Sequence, residues 1–253
     1  MPSLKGRHAF VTGGGRGIGR AIAAALSGAG AAVTIAGRGE AALAEAVKHG
    51  EAGGYVVADV TNAKAVDEGV RKAVAERGPV DLLIANAGGA ESAPFAKTTP
   101  EQFHRLFDLN VMGVVHVTRA VLEGMRERRF GRIVAVASTA GLKGYGYVSA
   151  YCAAKHAVVG LVRALAVETA SSGVTVNAVC PGFTDTDLVR ESLDTIAAKT
   201  GRSRDAALAS LLKDSPLGRL VKPQEVAAAV LYLCSSEASA VTGTTLVVAG
   251  GEI

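Results

Sequence analysis

The sequence contains few of the residues that metal sites, disulfides and base stacking require. Its 253 residues include three cysteines, five histidines, five tyrosines, six phenylalanines and no tryptophan. Cys152, Cys180 and Cys234 form no CxxC pair, and no HxxxH or HExxH pattern occurs, so the spacing predicts no metal site. The sparse cysteines indicate a reducing compartment, and the sparse aromatic side chains argue against a nucleic-acid binder that stacks bases.

Long hydrophobic runs are also missing. The longest helix-like apolar run, 226–234, is far shorter than the roughly 20 residues that a membrane span needs. The first residues lead directly into a strand-like segment, without the pattern of a secretory signal. Lysine and arginine (27) slightly exceed aspartate and glutamate (23) and are spread along the chain. We therefore expect a soluble, cytoplasmic protein with an ordinary solvated surface.

Short apolar runs alternate with longer helical patterns along the chain. Continuous apolar runs are typical of strands buried on both faces, and hence of a parallel sheet covered by helices. The strand-like runs are 8–12, 32–36, 54–58, 82–85, 132–137, 174–179 and 245–248, and the helical patterns are 17–29, 40–49, 63–77, 100–128, 150–171 and 223–235. This alternation predicts one α/β domain over 1–253, a doubly wound Rossmann-type fold with a seven-stranded parallel sheet flanked by helices.

One insertion interrupts the alternation after the sixth strand. It lies between Cys180 and Pro223 and contains a polar, helix-like stretch at 188–213. A long excursion directly after a strand end is a common place for an active-site lid. We expect residues 183–217 to form a substrate lid.

The first strand ends in a glycine-rich turn, TGGGRGIG at 12–19, and a helical pattern follows at once. Glycines let a backbone approach a pyrophosphate, and a helix N-terminus offers free N–H groups to it. The strand–turn–helix context predicts a dinucleotide site. A tight turn without a ligand is the alternative that the glycines alone leave open.

The end of the second strand bears on the choice of cofactor. A site that prefers NAD places an acidic side chain about 20 residues after the glycines, where this chain has Gly37. Arg38 follows, and Arg16 lies within the glycine turn. Guanidinium groups bind a 2′-phosphate well, so the sequence favours NADPH over NADH unless both arginines simply face solvent.

Three side chains after the fifth strand have the spacing of an acid–base site. Ser138 ends the strand, and Tyr151 and Lys155 share one face of the next helix. A lysine ammonium one turn away is expected to lower the pKa of the tyrosine, because it favours the phenolate. A serine hydroxyl beside them is expected to hold the substrate oxygen.

Together these motifs resemble those of the short-chain dehydrogenase/reductase family over nearly the whole chain. The matching positions are the turn at 12–19, Asp59, Asn86, Ala87, Gly88, Asn110, Ser138, Tyr151, Lys155, Asn177, Pro181 and Gly182. Ala85 departs from the family pattern, which usually has a second asparagine there. The resemblance implies direct hydride transfer between a nicotinamide cofactor and a carbonyl group, without a metal.

The resemblance also implies catalytic roles for four residues. Tyr151 would be the general acid, and Lys155 would bind the nicotinamide ribose and lower the pKa of Tyr151. Ser138 would orient the carbonyl. Asn110 would hold a water behind Lys155, or else serve only helix packing.

The remaining positions implied by the resemblance bind the cofactor. Asp59 and Val60 would contact adenine, Asn86 would lie near its ribose, and residues 181–186 would cover the nicotinamide. The full implied set is Gly13, Gly15, Arg16, Gly17, Ile18, Gly19, Arg38, Asp59, Val60, Asn86, Ala87, Gly88, Tyr151, Lys155, Pro181, Gly182, Thr184 and Thr186.

The segment 131–182 is similar to ketoacyl and polyketide reductases. This implies NADPH-dependent reduction of a 3-oxoacyl thioester, carried by acyl carrier protein or coenzyme A. Two alternatives stay open: an NAD(P)-dependent dehydrogenase of a small secondary alcohol or hydroxyacyl-CoA, and a non-catalytic NADP-sensing protein.

Three weaker expectations concern surfaces. The substrate pocket is expected from 89–92, 144–148 and the part of the lid at 183–193, with Tyr145 and Tyr147 either walling it or exposed on a loop. The run Arg126, Arg128 and Arg129 either receives an acidic acyl carrier protein, as in related reductases, or is a solvated helix end. The resemblance further implies a homotetramer, and no nucleic-acid or membrane partner is expected.

Overall fold

Seven parallel strands form one sheet in the computed structural model, which describes residues 3–213 and 215–253. The order is β3-β2-β1-β4-β5-β6-β7, so the direction of winding reverses between β1 and β4. A cleft at such a reversal, outside the carboxyl ends of the strands, is where ligands bind in this architecture. The strands are β1 His8–Thr12, β2 Ala32–Gly37, β3 Gly54–Val57, β4 Leu82–Ala85, β5 Gly131–Val136, β6 Val174–Pro181 and β7 Thr245–Val248.

Helices cover both faces of the sheet. They are α1 Gly17–Gly28, α2 Glu40–Lys48, α3 Ala63–Arg77, α4 Pro100–Phe107, α5 Gly113–Glu127, α6 Ser149–Thr169, α7 Asp187–Thr200, α8 Arg204–Leu212 and α9 Pro223–Cys234. One core layer joins α3, α5 and α6 to the sheet, and the other joins α1, α2 and α9. The predicted doubly wound α/β fold with a seven-stranded parallel sheet is therefore confirmed.

Local sequence signals explain where several helices begin. Asn62 caps α3, since its side-chain oxygen accepts a hydrogen bond from the Ala65 N–H at 3.1 Å. Thr99 and Gln102 form a capping box in front of α4, whose first residue is Pro100. By contrast, α1 has no side-chain cap at Arg16. The N-terminus of α1 therefore lacks the side-chain hydrogen bond that caps α3 and α4.

Two helical predictions are wrong in detail. The stretch 100–128 is interrupted by a π-helical turn, Asp108–Met112, between α4 and α5. The stretch 188–213 is divided into α7 and α8 at Gly201, which adopts a left-handed conformation (φ 68°) that glycine tolerates without strain. In both stretches the spacing of polar and apolar residues continues through the interruption. That spacing therefore does not reveal a π-helical turn or a single left-handed residue.

By length and composition, the stretch Ser149–Ser172 is long and apolar enough to cross a membrane, alone among the helices of the described chain. It contains α6, whose buried residues Val158, Val159 and Val162 belong to the core beside the sheet. Packing in this core explains its apolar character.

Candidate active site

The glycine-rich turn lies at the carboxyl end of β1, where the strand order reverses. Gly13 and Gly17 have positive φ angles of 65° and 54°, and a Cβ added to Gly13 would lie 2.8 Å from Asn86 Nδ2. A Cβ added to Gly19 would lie 2.5 Å from the same atom. The turn therefore folds only with glycine at these positions, and it presents backbone to the cleft.

The N-terminus of α1 is suited to an anion. Its first turn has neither a side-chain cap nor an acidic residue. No side chain there accepts a hydrogen bond from the first N–H groups or offsets the positive end of the helix dipole. The exposed guanidinium of Arg16 stands at the same position. This cradle of glycine backbone, helix N-terminus and arginine fits the pyrophosphate of a dinucleotide.

Asn86 ties the glycine turn to the end of β4. Its Nδ2 donates to the carbonyl oxygens of Thr12, at 2.9 Å, and Gly13, at 3.3 Å. The Thr12 hydroxyl oxygen in turn accepts from the backbone N–H groups of Asn86 and Ala87, both at 3.0 Å. Asn86 thus supports the turn directly, and Ala87 and Gly88 continue along the same edge of the sheet.

The end of β2 carries positive charge and an unfilled side-chain position. Arg38 is 73% exposed at its side chain, with Nη1 4.0 Å from Asp59 Oδ2. A Cβ added to Gly37 would meet only Leu43, at an ordinary contact distance of 3.6 Å. The position therefore has room for a carboxylate that this chain does not carry.

Asp59 and Val60 follow β3 at the same edge. Asp59 Oδ1 accepts from the N–H and the hydroxyl of Thr61, and the backbone bond holds the pKa of Asp59 below its ordinary value. The Val60 side chain is buried against α5, where a Cβ added to Gly113 would lie 2.8 Å from Val60 Cγ2. The carboxylate is thus ordered by its own turn, and Val60 fixes that turn to the helix layer.

The structure brings Ser138, Tyr151 and Lys155 together beyond β5. Ser138 caps the short 3₁₀ turn Thr139–Gly141, and its Oγ accepts from the Ala140 N–H at 3.1 Å. Tyr151 and Lys155 lie in the first two turns of α6. The Lys155 side chain is only 5% exposed, and its Nζ donates to the Val136 carbonyl oxygen at 2.9 Å.

The pKa expected for Tyr151 is wrong in direction. Burial raises the pKa of Tyr151 to about 12, with the Ser138 hydroxyl acting in the opposite sense. Burial also lowers the pKa of Lys155 to about 8. Desolvation penalises the charged form of each group. The Lys155 ammonium donates to the Val136 carbonyl oxygen, and its Nζ lies 5.7 Å from the Tyr151 ring centroid. Tyr151 is therefore a protonated phenol at neutral pH, as a proton donor must be.

Asn110 sits in the π-helical turn and is completely buried. Its Nδ2 donates to the carbonyl oxygens of Leu106 and Gly89, both at 2.9 Å, and its Oδ1 accepts from the Gly89 N–H at 3.3 Å. A Cβ added to Gly88 would lie 2.7 Å from Asn110 Oδ1 and 3.5 Å from Lys155 Nζ. Asn110 therefore holds the strand-end loop 88–89 close to Lys155.

The segment after β6 crosses towards the glycine turn. The Gly182 N–H donates to the Val248 carbonyl oxygen at 3.1 Å, beyond the strand end at Pro181. The buried Thr184 hydroxyl donates to the Gly182 carbonyl oxygen at 3.0 Å. Thr186 Cγ2 lies 3.3 Å from a Cβ added to Gly17, so the segment and the turn face each other. The implied cofactor-binding positions of both segments thus line one cleft.

Sequence reasoning missed Lys143 and Glu252 and left Tyr145 unresolved. Glu252 is almost fully buried, hydrogen-bonded to the Tyr145 hydroxyl and 3.1 Å from Lys143 Nζ. Burial and Glu252 together raise the pKa of Tyr145. Tyr147, on the same loop, is 71% exposed with φ 67°. No periodicity or motif pointed to Glu252, because its partners lie more than a hundred residues earlier in the chain.

Arg126, Arg128 and Arg129 lie at the opposite edge of the sheet. Arg126 lies in the last turn of α5, and Arg128 and Arg129 follow the helix just before β5 begins, whereas Ser138 follows the end of β5. Arg128 Nη2 donates to the Val80 carbonyl oxygen at 2.7 Å, and Arg129 Nη2 donates to that of Ser171 at 3.0 Å. Two of the three guanidinium groups thus hold backbone in place.

Metal ligands do not gather anywhere in the described part of the chain: no group of three or more histidine, cysteine, aspartate or glutamate side chains is placed to hold an ion.

Comparison with known proteins places the same motifs in a known family. The family model for short chain dehydrogenases matches residues 7–197. The chain is 41% identical over 248 residues to an acetoacetyl-CoA reductase of Shinella zoogloeoides, covering 97% of this chain and 98% of that protein. It is 38% identical over 254 residues to a D-beta-hydroxybutyrate dehydrogenase of Cupriavidus necator, covering 98% of each.

The fold is similar to that of solved enzymes. A variant of actinorhodin polyketide ketoreductase, determined with NADPH, matches with a TM-score of 0.93 and 38% identity over 97% of each chain.

Proposed function

Because the chain belongs to the short-chain dehydrogenase/reductase family, we propose that it reduces 3-oxoacyl thioesters to 3-hydroxyacyl thioesters with NADPH. The observation that carries the proposal is the position of Tyr151, Lys155 and Ser138 at the same sheet edge as the glycine turn. A reductase needs these two parts side by side, a cradle for a dinucleotide and a proton donor. The relatives that act on acetoacetyl-CoA and on polyketides support the substrate class.

The cofactor would be held by groups on three strand ends. The glycine turn and α1 N-terminus would bind the pyrophosphate, with Asn86 supporting the turn from β4. Arg16 and Arg38 would pair with a 2′-phosphate, because Gly37 leaves the usual acidic position without a carboxylate. When bound, the cofactor supplies the hydride that reduces the carbonyl carbon.

The chain's own residues would handle the proton. Tyr151 donates its phenolic proton to the ketone oxygen, and the Ser138 hydroxyl donates a hydrogen bond to the same atom. The Lys155 ammonium, fixed by the Val136 carbonyl oxygen, lies close enough to stabilise the phenolate that remains. Asn110 positions the loop beside Lys155, where we propose that it also orders a water for proton return.

Residues 183–217 would act as the substrate lid. Support comes from their start at the end of β6, from the closeness of Thr186 to the glycine turn, and from the two short helices α7 and α8 that follow. The lid and the loop at 142–148 would enclose the ketone between them.

Coenzyme A is the carrier that we favour over acyl carrier protein. An acyl carrier protein docked at Arg126, Arg128 and Arg129 would sit at the far edge of the sheet, and two of these arginines already bind backbone carbonyl groups. Carrier-bound acetoacetate should be a poorer substrate than acetoacetyl-CoA at equal concentration.

The dehydrogenase at 38% identity supports a second candidate, oxidation of a 3-hydroxy acid or its thioester. Arg16 and Arg38 weigh against it, because NADPH is the cofactor of reductive chemistry in cells. The reductase and the dehydrogenase functions differ in cofactor and in the preferred direction of the reaction. A single assay distinguishes between them.

The test is a steady-state assay of the purified protein, following absorbance of the reduced cofactor. We expect acetoacetyl-CoA to be reduced with NADPH far faster than with NADH, and 3-hydroxybutyrate to be oxidised slowly. A strong NADH preference would refute the cofactor assignment. NADPH binding without turnover of any ketone would favour the sensor function instead.

We also propose that the enzyme is a cytoplasmic homotetramer. Two exposed apolar side chains, Met112 directly before α5 and Val167 on α6, support an assembly through these helices. Light scattering after size exclusion tests the expected mass of four chains.

A further inference from the structure

A charged cluster around a buried carboxylate joins two distant segments of the chain at the edge of the candidate site. It consists of Thr139, Lys143, Tyr145 and Glu252, and we call it the Glu252 cluster. Glu252 is 4% exposed at its side chain, and its Oε1 lies 3.1 Å from Lys143 Nζ. Lys143 also donates to the Glu252 backbone carbonyl oxygen at 3.3 Å. The cluster is outside the Ser138, Tyr151 and Lys155 set, and the proposed mechanism does not use it.

The hydrogen bonds in the cluster have one direction. A carboxylate only accepts hydrogen bonds, so the Tyr145 hydroxyl donates to Glu252. With its proton used there, the Tyr145 oxygen accepts from the Thr139 hydroxyl at 2.6 Å. The chain of donors therefore runs from Thr139 through Tyr145 to Glu252. Thr139 is the residue directly after Ser138, so Glu252 is linked to the turn that carries Ser138.

The same carboxylate reaches the start of the segment 183–217. A Cβ added to Gly182 would lie 2.8 Å from Glu252 Oε2, so the absence of a side chain at 182 leaves the space that Glu252 occupies. The Tyr145 ring packs edge-on against Phe183, with centroids 5.8 Å apart and an interplanar angle of 78°. Glu252 thus stands where the Ser138 turn, the loop before α6 and the strand exit at 182–183 meet.

We propose that Glu252 is a positioning residue for the ketone substrate, acting through Tyr145 and Thr139 on the Ser138 turn and the pocket loop. The inference rests on the proposed function, because it needs a ketone bound beside Ser138. None of the contacts of Glu252 in the described residues reaches the glycine turn, Arg16 or Arg38. Loss of its carboxylate therefore weakens ketone binding much more than NADPH binding.

The test compares four variants: Glu252→Leu, Glu252→Gln, Tyr145→Phe and, as a matched control, Tyr232→Phe. Tyr232 lies on α9, outside the pocket loop and the lid, and is 44% exposed, without a hydroxyl partner among the described residues. For Glu252→Leu we expect KM for acetoacetyl-CoA to rise about tenfold or more, the effect of one lost charge-assisted hydrogen bond, with kcat changed much less. Glu252→Gln keeps an acceptor for Tyr145 and should recover part of the loss.

Two further measurements separate positioning from general damage. The Kd for NADPH, from fluorescence titration, should change much less than the KM for acetoacetyl-CoA in both Glu252 variants and in Tyr145→Phe, and should not change in the control. Tyr145→Phe combined with Glu252→Leu should be no worse than Glu252→Leu alone, because both remove the same linkage. An unchanged KM in Glu252→Leu, or equal loss of NADPH binding and thermal stability in both Glu252 variants, would overturn the inference.

Hydrogen exchange provides a readout that does not depend on activity. Amides at 142–148 should exchange faster in Glu252→Leu than in the unmodified chain, while those of the glycine turn should not change. Unaltered exchange at 142–148 would refute the positioning role. If the unmodified chain reduced no ketone but exchange changed as expected, the proposed function would fail and the structural linkage would stand.

Discussion

Lys155 donates from Nζ to the carbonyl oxygen of Val136 at 2.9 Å, inside a region so dry that its pKa falls to about 8. The bond satisfies one of three ammonium protons and leaves the charge poorly solvated. Holding this cation in place therefore costs folding free energy at neutral pH, and the candidate catalytic lysine is a source of instability.

This cost predicts how stability depends on pH. The unfolded lysine has a pKa of roughly 10.4, so between pH 8 and 10 the unfolded state binds more protons than the folded state. The contribution of Lys155 to stability therefore rises with pH in this window, by at most about 1.4 kcal/mol per unit. Urea unfolding of the unmodified chain and Lys155→Met at several pH values isolates this contribution.

Burial raises the pKa of the Cys180 and Cys234 thiols, so both groups make stability fall as pH rises through the same window, with or without Lys155. The pH slope of the unmodified chain should therefore exceed that of Lys155→Met, whereas Lys72→Met, which removes an exposed lysine, should keep the slope of the unmodified chain. Equal pH slopes in the unmodified chain and Lys155→Met would contradict the lowered pKa. Above pH 10 the raised pKa of Tyr151 acts in the opposite sense, since the folded state then holds the extra proton. The comparison should therefore stop at pH 10.

Tyr151→Phe should bind NADPH normally and lose most of its reductase activity. The change removes one hydroxyl, and with it the proton that the mechanism gives to the ketone oxygen. General acid catalysis contributes about 10²- to 10⁴-fold, so kcat should fall by that order. Tyr232→Phe, which removes an exposed hydroxyl on α9 away from the site, should keep full activity. Turnover of Tyr151→Phe near that of the unmodified chain would remove Tyr151 from its proposed role.

Gly37→Asp should shift the cofactor preference from NADPH towards NADH. The added Cβ meets only Leu43 at 3.6 Å, so the backbone need not move, and the new carboxylate would repel a 2′-phosphate and accept from a ribose hydroxyl. We expect the ratio of kcat/KM for NADPH to that for NADH to fall at least about tenfold. Gly39→Asp adds the same charge two residues later, with nothing within 4 Å, and should shift the ratio much less. An unaltered ratio in Gly37→Asp would mean that position 37 does not face the ribose.

Gly19→Ala should damage the dinucleotide turn, and Gly28→Ala, at the other end of α1, should not. A Cβ at 19 would overlap the Gly13 carbonyl oxygen and approach Asn86 Nδ2 to 2.5 Å, whereas a Cβ at 28 meets nothing within 4 Å. Overpacking of this kind costs about 1–3 kcal/mol of unfolding free energy. Gly19→Ala should also weaken NADPH binding severely, which calorimetric titration measures. Normal binding by a folded Gly19→Ala would contradict the tight approach of turn and strand end.

Sequence reasoning worked best where short patterns correspond to local structure. The valine- and isoleucine-rich runs predicted all seven strands to within about two residues, because strands buried on both faces admit few polar side chains. The glycine turn and the Tyr151–Lys155 spacing were equally readable, since both depend on neighbours along the chain. Interruptions within a periodic pattern, such as the π-helical turn around Asn110, leave the pattern itself unchanged and were missed.

Properties that depend on the surroundings in space were not readable. The direction of the Tyr151 pKa shift reflects how deeply α6 is buried, which no spacing encodes. The hydrogen bond from the Tyr145 hydroxyl to Glu252 joins residues more than a hundred positions apart. Tyr145 is partly buried at this contact, whereas Tyr147 on the same loop is exposed.

The close approach of Gly182 and Glu252 limits which substitutions the protein can accept at either position. The Glu252 carboxylate occupies the space that a side chain at 182 would need, although the two residues are far apart in the chain. Any side chain gained at 182 must displace the carboxylate, and shortening residue 252 opens a gap beside 182. A Cβ at 182 would also lie 3.0 Å from Ala249 Cβ, so removing the carboxylate relieves only part of the crowding. Gly182→Ala should therefore be tolerated better beside Glu252→Ala than beside glutamate.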